Sequence, residues 1–129
     1  MEKKPNTRAK GEQLESIAND YLNARGLALI TRNFQCKLGE IDLIMQDNDT
    51  LVFVEVRYRR SNRFGSAAET VDRRKQRKLL RTAQLFLKIH HLGQSTPCRF
   101  DIVGISPQSR TDTLCFDWIQ NAFGTSDSF

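Results

Sequence analysis

Asp42, Glu55 and Arg57 are the residues whose types and spacing point most directly to chemistry. They lie in GEIDLIMQDNDTLVFVEVRYRR, Gly39 to Arg60, which reads as two β-strands around a turn at Asp47–Thr50. A two-residue turn at Asn48-Asp49 and a four-residue turn give the same register. Leu43 then faces Val54, Ile44 faces Phe53, and Asp42 faces Glu55. Directly opposed side chains have Cβ atoms about 4.5–5.5 Å apart, where like charges destabilise the pair unless something compensates. Hard divalent cations such as Mg²⁺ take carboxylate oxygens and would do so.

Alternation along the strands assigns the faces. Ile41, Leu43, Met45, Val52, Val54 and Val56 form a uniformly apolar face expected in the core. Asp42, Glu55 and Arg57 share the other face with Ile44 and Phe53, so that face is expected to be part covered. The plainer alternative is a solvated polar face on which Glu40 pairs with Arg57, an exposed ion pair worth roughly 0–1 kcal/mol. Asp47 and Asp49 are turn residues, since their spacing lacks the glycine and terminal glutamate of a calcium-binding hand.

The elements that must position this hairpin are legible from periodicity. Residues 1–9 read as a flexible polar tail and 10–129 as a single domain. Leu14, Ile17, Ala18, Tyr21 and Leu22 give the stripe of an amphipathic helix over 10–25, stopped by Gly26. Leu27–Phe34 is β-prone, as an edge or second strand. Ser61–Ala68 is a loop. A long helix opens near Thr70 or Asp72 and runs to about His91. Arg99–Ser106 is a strand bracketed by Pro97 and Pro107, Thr113–Trp118 adds a last strand, and Ile119–Phe123 is expected as a short terminal helix. This order gives an α/β fold, a mixed sheet of about five strands flanked by helices.

Charge is concentrated rather than spread. Between Arg57 and Arg81 ten basic residues stand against Glu69 and Asp72, in a chain whose net charge is +5. Such a cluster is the electrostatic footprint of a phosphate-binding surface, or else one solvated helix face. Cys36, Cys98 and Cys115 are odd in number and widely spaced, which excludes a disulfide framework and a zinc site; they are expected to be reduced and buried. His90 and His91 suit a helix C-terminus and carry no chemistry. No apolar stretch approaches a membrane span, and MEKKPNTRAK is followed by no apolar run, so the expectation is a cytoplasmic protein with no membrane contact.

With Asp42, a hairpin, and Glu55-Val56-Arg57, the chain resembles the PD-(D/E)XK nuclease superfamily and its restriction-endonuclease-like core. The segments GEQLESIANDYL, GEIDLI, FVEVRYR, KQRKLLRTAQLFL, RFDIVGI and WIQNAF resemble, in order, the bacterial YraN family, over nearly all of the chain from Gly11. The resemblance implies a metal-dependent endonuclease using Mg²⁺ or Mn²⁺, with Asp42, Glu55 and the Val56 backbone carbonyl as metal ligands. Glu15 matches a first-helix glutamate that archaeal Holliday-junction resolvases add to the site, and lies at the border of the buried stripe. Its alternative is an ordinary exposed helix residue. Asp101 is a weaker candidate, equally suited to pairing with an arginine. The consensus lysine is Arg57 here, and arginine stays protonated, so Arg57 suits phosphate binding rather than base catalysis.

Two functional classes follow. The first is hydrolysis of nucleic-acid phosphodiester bonds, on branched or single-stranded DNA, with a homodimer if two strands must be cut. Arg59, Arg60, Arg63, Arg73, Arg74, Lys75, Arg77 and Lys78 would then grip backbone phosphates. The second is a DNA- or RNA-binding module of weak or absent activity on the same fold. A basic face for an acidic protein partner is a third reading, which no particular residue recommends.

Overall fold

A computed structural model describes residues 7–60, 67–93, 95–108 and 113–123. Arg63 lies outside them. The stripe from Leu14 to Leu22 forms helix α1, Thr7–Asn23, with Ala18 and Leu22 fully buried. Its end is fixed by glycine: Gly26 takes φ +102°, the Leu27 N–H donates to the Leu22 carbonyl at 3.1 Å, and the Gly26 N–H donates to Asn23. This Schellman pattern turns the chain into the sheet.

Strands β1 (Ala28–Cys36), β2 (Gly39–Asp47) and β3 (Thr50–Tyr58) form an antiparallel meander. Helix α2, Arg73–Ile89, carries the chain across to β4, Cys98–Pro107, which pairs parallel to β3. Strand β5, Leu114–Phe123, returns antiparallel on β4, giving the sheet order β1-β2-β3-β4-β5. A parallel pair needs such a crossover, and the helix supplies it. The result is an α/β domain with a five-stranded mixed open sheet and a helix on each face, which fits a restriction-endonuclease-like core.

The two faces hold separate cores. Against α1 lie Leu43, Met45, Val52, Val54, Val103 and Ile105. Against α2 lie Ile41, Ile44, Phe53, Phe100 and Ile102, with Phe86 meeting Phe53 edge-on at 6.0 Å. Burying each such side chain contributes about 1.5–3 kcal/mol. Asp72 caps α2 by accepting from the Lys75 N–H at 2.9 Å. Before it, a 3-10 turn at Ala67–Thr70 seats on β4, where a Cβ on Gly104 would stand 2.7 Å from that of Ala67. That close seat fixes where the crossover delivers the start of α2.

Four expectations need correction. Ile41 packs on the α2 face rather than with Leu43 and Met45, because β1 and β2 are irregular at that point: Asn33, opposite Asp42, has φ +53°. The Ile44 and Phe53 face is buried outright rather than part covered. Ile119–Phe123 continues β5 as strand; Asn121 takes φ +51° and its N–H donates to Asp101, which lets Phe123 pair with Phe100 past a bulge. The cysteines are free but not buried: Cys36 and Cys98 stand at strand ends, half-covered, and Cys115 is exposed on edge strand β5. No helix among the described residues is long and apolar enough to cross a membrane.

Candidate metal centre and its basic rim

Pairing between β2 and β3 follows the predicted register from Asp47–Thr50 to Leu43–Val54, then stops. Past that point the Val56 N–H donates to Asp42 Oδ2 at 2.8 Å, so a side chain takes the bond that a backbone carbonyl would accept in a continued ladder. The strands part there, and the Asp42 carboxylate occupies the gap. Its contact with Glu55 therefore survives, though not as a ladder pair on a flat face. The Glu40–Arg57 pair expected one step further does not form, because the ladder has ended; Arg57 pairs with Glu55 instead, Nη2 to Oε2 at 3.3 Å.

Asp42 connects three elements. Glu15, from α1, reaches it on one side and Glu55, from β3, on the other. Glu15 is 7% exposed and Glu55 5% exposed, while Asp42 is half-buried. The Glu15 position on the flank of the α1 stripe thus puts it inside, not in solvent. Glu40, two residues before Asp42, completes a group: carboxylate oxygens of Glu15, Glu40 and Asp42 all lie within 4.8 Å of one another. Glu40 was not among the predicted site residues. Its signal was the i, i+2 spacing to Asp42 on one strand, masked by the ion pair that the extended register offered it.

Burial without enough compensation shows in the acidities. Glu55 is pushed up to about 8, first by desolvation, then by its hydrogen bond and charge contact with Asp42; Lys75 and Arg57 oppose the rise. Asp42 is raised by burial and by Glu15, against the bonds from Glu55 and the Val56 N–H. Glu15 is raised by burial and the charge of Glu40, with Asn33, Asp42 and Arg32 opposing. The Glu15 Oε1 atom is buried and has no hydrogen-bond partner among the described residues. An all-oxygen donor set with a spare buried oxygen fits a hard cation such as Mg²⁺ or Mn²⁺.

Cations surround the group. Lys75, expected to grip a phosphate, reaches the acidic group as well: its Nζ is 3.3 Å from Glu55 Oε2. The Arg57 side chain is 31% exposed and its Nε is buried with no hydrogen-bond partner among the described residues. Arg32 donates to Ser16 Oγ at 2.8 Å and the Glu12 carbonyl at 3.0 Å, beside a cavity of about 430 Å³ lined by Gly11, Glu15, Asn33, Glu40 and Asp42. Lys10 stands 4.8 Å over the Tyr58 ring. Arg73, Arg74, Arg77 and Lys78 are exposed on the first half of α2, and Arg60 is exposed beyond β3. Arg59 is half-buried, with its N–H bonded to the Ile105 carbonyl.

Asp101 has a structural task. It is 1% exposed and accepts from Arg99 Nε at 3.1 and 3.2 Å, Trp118 Nε1 at 2.9 Å and the Asn121 N–H at 2.9 Å. Arg99 also bonds Asp47 at 2.9 Å, tying β4 to the hairpin turn. His90 caps the end of α2 and packs on Phe86, with ring centroids 4.2 Å apart.

Known proteins share this arrangement of sequence. A family model described as "Uncharacterised protein family UPF0102" matches residues 14–105, which take in α1 from Leu14 onward, β1, the hairpin, α2 and most of β4. A UPF0102 protein of Aliivibrio fischeri is 51% identical over 123 residues, covering 95% of this chain and 97% of the relative. A UPF0102 protein of Nitrosococcus oceani is 50% identical over 121 residues, covering 93% and 96%. A third, from Stutzerimonas stutzeri, is 48% identical over 117 residues. On a match of this length and depth, the chain belongs to family UPF0102.

Proposed function

We propose that the chain is a metal-dependent endonuclease of the PD-(D/E)XK type, as its resemblance to the YraN family implies, acting on nucleic acid and most naturally on DNA. One observation carries the reading: Glu15, Asp42 and Glu55, from three separate elements, meet in a buried acidic group bordered by Arg57 and Lys75. A fold gains nothing in stability from packing carboxylates together without a partner. A bound cation makes the arrangement favourable.

Asp42 and Glu55, with the Val56 carbonyl, would hold that cation, and Glu15 would close the site from α1. When bound, the ion supplies Lewis acidity toward a phosphate oxygen and lowers the pKa of water. The rest falls to side chains. Arg57, permanently charged, donates to the phosphate oxygens as negative charge builds at phosphorus. It cannot take or give a proton, whereas the Lys75 amine can. Water oxygen forms the new bond to phosphorus in line with the bond that breaks, and the departing sugar oxygen takes up a proton. The exposed arginines and Lys78 of α2 hold the backbone on either side.

Arg57 in the consensus lysine position favours a second reading, a nucleic-acid-binding module of little or no activity. Purified protein incubated with four-way-junction, single-stranded and duplex DNA and with RNA, with Mg²⁺, Mn²⁺ or chelator, separates the two. The nuclease reading expects metal-dependent cleavage that Asp42→Asn and Glu55→Gln abolish. Lys75→Met should slow it about 10²–10⁴-fold, the range for lost acid–base assistance. Binding without cleavage on any substrate supports the module. Absence of binding at low salt would remove both.

A further inference from the structure

We infer that Leu38 is a wedge for bases: it enters an unstacked step near the scissile phosphate and so selects nucleic acid at a branch or duplex end. This rests on the nucleic-acid reading above and goes beyond it in naming the substrate class and the residue that reads it.

Leu38 lies in the two-residue turn between β1 and β2 and is 44% exposed. A single exposed leucine is ordinary on a protein surface. This one is set apart by its support, its neighbours and its position.

The support is rigid. The Leu38 N–H donates to Cys36 Sγ at 3.3 Å, and the Cys36 thiol reaches Thr82 Oγ1 of α2 at 4.0 Å. Thr82, fully buried, donates to the Lys78 carbonyl at 2.8 Å. A Cβ on Gly39 would stand 3.1 Å from Thr82 Oγ1 and 3.8 Å from Lys78 Cβ, so the glycine lets the turn lie directly on the helix.

The neighbours are cations. Arg74, Lys78 and Arg81, at i, i+4 and i+7, share an exposed face of α2, and Lys37 is exposed beside Leu38 in the turn. Phosphates do not attract an apolar side chain. On a nucleic acid held by these cations, the apolar surface within reach is the face of a base. Leucine is among the side chains that enter between neighbouring bases, at the cost of unstacking them. That cost is least where a base is already unpaired. A continuous duplex is thereby disfavoured, and a branch, flap or fork favoured.

The position fits a step close to the reacting phosphate. Leu38 precedes Glu40 by two residues, about 7 Å of extended chain, and Glu40 lines the cavity that Asp42 and Glu15 line. Stacked nucleotides of one strand repeat every ~3.4 Å. The step within reach of Leu38 is therefore about two nucleotides from a phosphate at the acidic group.

Fluorescence of 2-aminopurine tests the wedge without any assay of cleavage. The probe base is placed in the last base pair before the branch of a forked DNA and, separately, inside a continuous duplex. The full chain is added at low salt, with chelator or with Ca²⁺. The wild type should prefer the fork and raise its fluorescence. Leu38→Ala should weaken fork binding about tenfold, leave duplex binding unchanged and lose the rise. Leu38→Met, still apolar, should keep both the preference and the rise. Lys37→Ala should weaken the two DNAs alike, and thermal melting checks the fold of each variant. An undiminished preference and rise in Leu38→Ala overturns the inference, as does wild-type binding that ignores the branch. If metal-dependent cleavage persists in either case, only this inference falls. With no DNA bound in any condition, the nucleic-acid reading falls with it.

Discussion

Glu55 holds a proton that most glutamates have lost by neutral pH. Its acidity lies near 8 against an ordinary 4.5, because burial and Asp42 outweigh Lys75 and Arg57. Between those values the folded chain keeps the proton while the unfolded chain releases it. The contribution is therefore fully present below about pH 4.5 and is lost as pH rises through 8, on the order of a few kcal/mol. Metal-free protein should accordingly melt at a lower temperature at pH 8 than at pH 5.5. Glu55→Gln, which stays neutral, should flatten that slope and be the more stable form at pH 8. Melting curves of both proteins in chelator decide it, and a wild-type melting temperature that rises with pH over this window would contradict the account. With Glu55 as the proposed ligand, Mn²⁺ should restore most at the upper end, where that carboxylate is easiest to ionise.

Helix α2 begins against its own interest. Its first residues are Arg73, Arg74 and Lys75, with no acidic residue in the first turn, so cations face the positive end of the helix dipole. Each costs about 0.3–1 kcal/mol at low salt, a cost suited to an anion-binding role. Arg73→Glu and Arg74→Glu should each raise stability by about that amount while weakening DNA binding, and each should lower the salt slope of binding by about one. Opposite movement of melting temperature and affinity is the signature; loss of both would mean a misfolded variant. This basic turn, the α1 stripe and the hairpin register were all legible in the sequence, because each depends on near neighbours or on period. The bend at Asp42 was not. It arises where Asn33 of β1 adopts a left-handed conformation and Asp42 takes the Val56 N–H, a tertiary event that strict alternation cannot foresee. Lys75 was legible as a charge but not as a site residue, since only the crossover seated at Gly104 brings the start of α2 to Glu55. The full length of β5 is not legible for a similar reason: Asp101 satisfies the Asn121 N–H from another strand.

Across the whole molecule, the acidic group is the place where layers on opposite faces of the sheet meet. Glu15 comes from the helix on one face, Lys75 from the helix on the other, and Asp42 and Glu55 from the two strands that part between them. Without a cation, repulsion at Asp42 works against the seating of α1, whose hold on the sheet otherwise rests on Ala18, Leu22 and their neighbours. On the proposed reading, a bound ion would reverse the sign of that contact and join α1 to β2 through Glu15. Ligand present at about 100 times its dissociation constant stabilises the folded chain by about 2.7 kcal/mol. The gain should be local as well as global. Hydrogen exchange with and without Mn²⁺ should show added protection in α1 near Glu15 and at the parted ends of β2 and β3, with less change in the β4–β5 pair. Glu15→Gln should remove the added protection of α1 while leaving that at Asp42 and Glu55, because the strand ligands remain. Uniform protection across the chain, unaltered in the variant, would show that α1 plays no part in holding the ion.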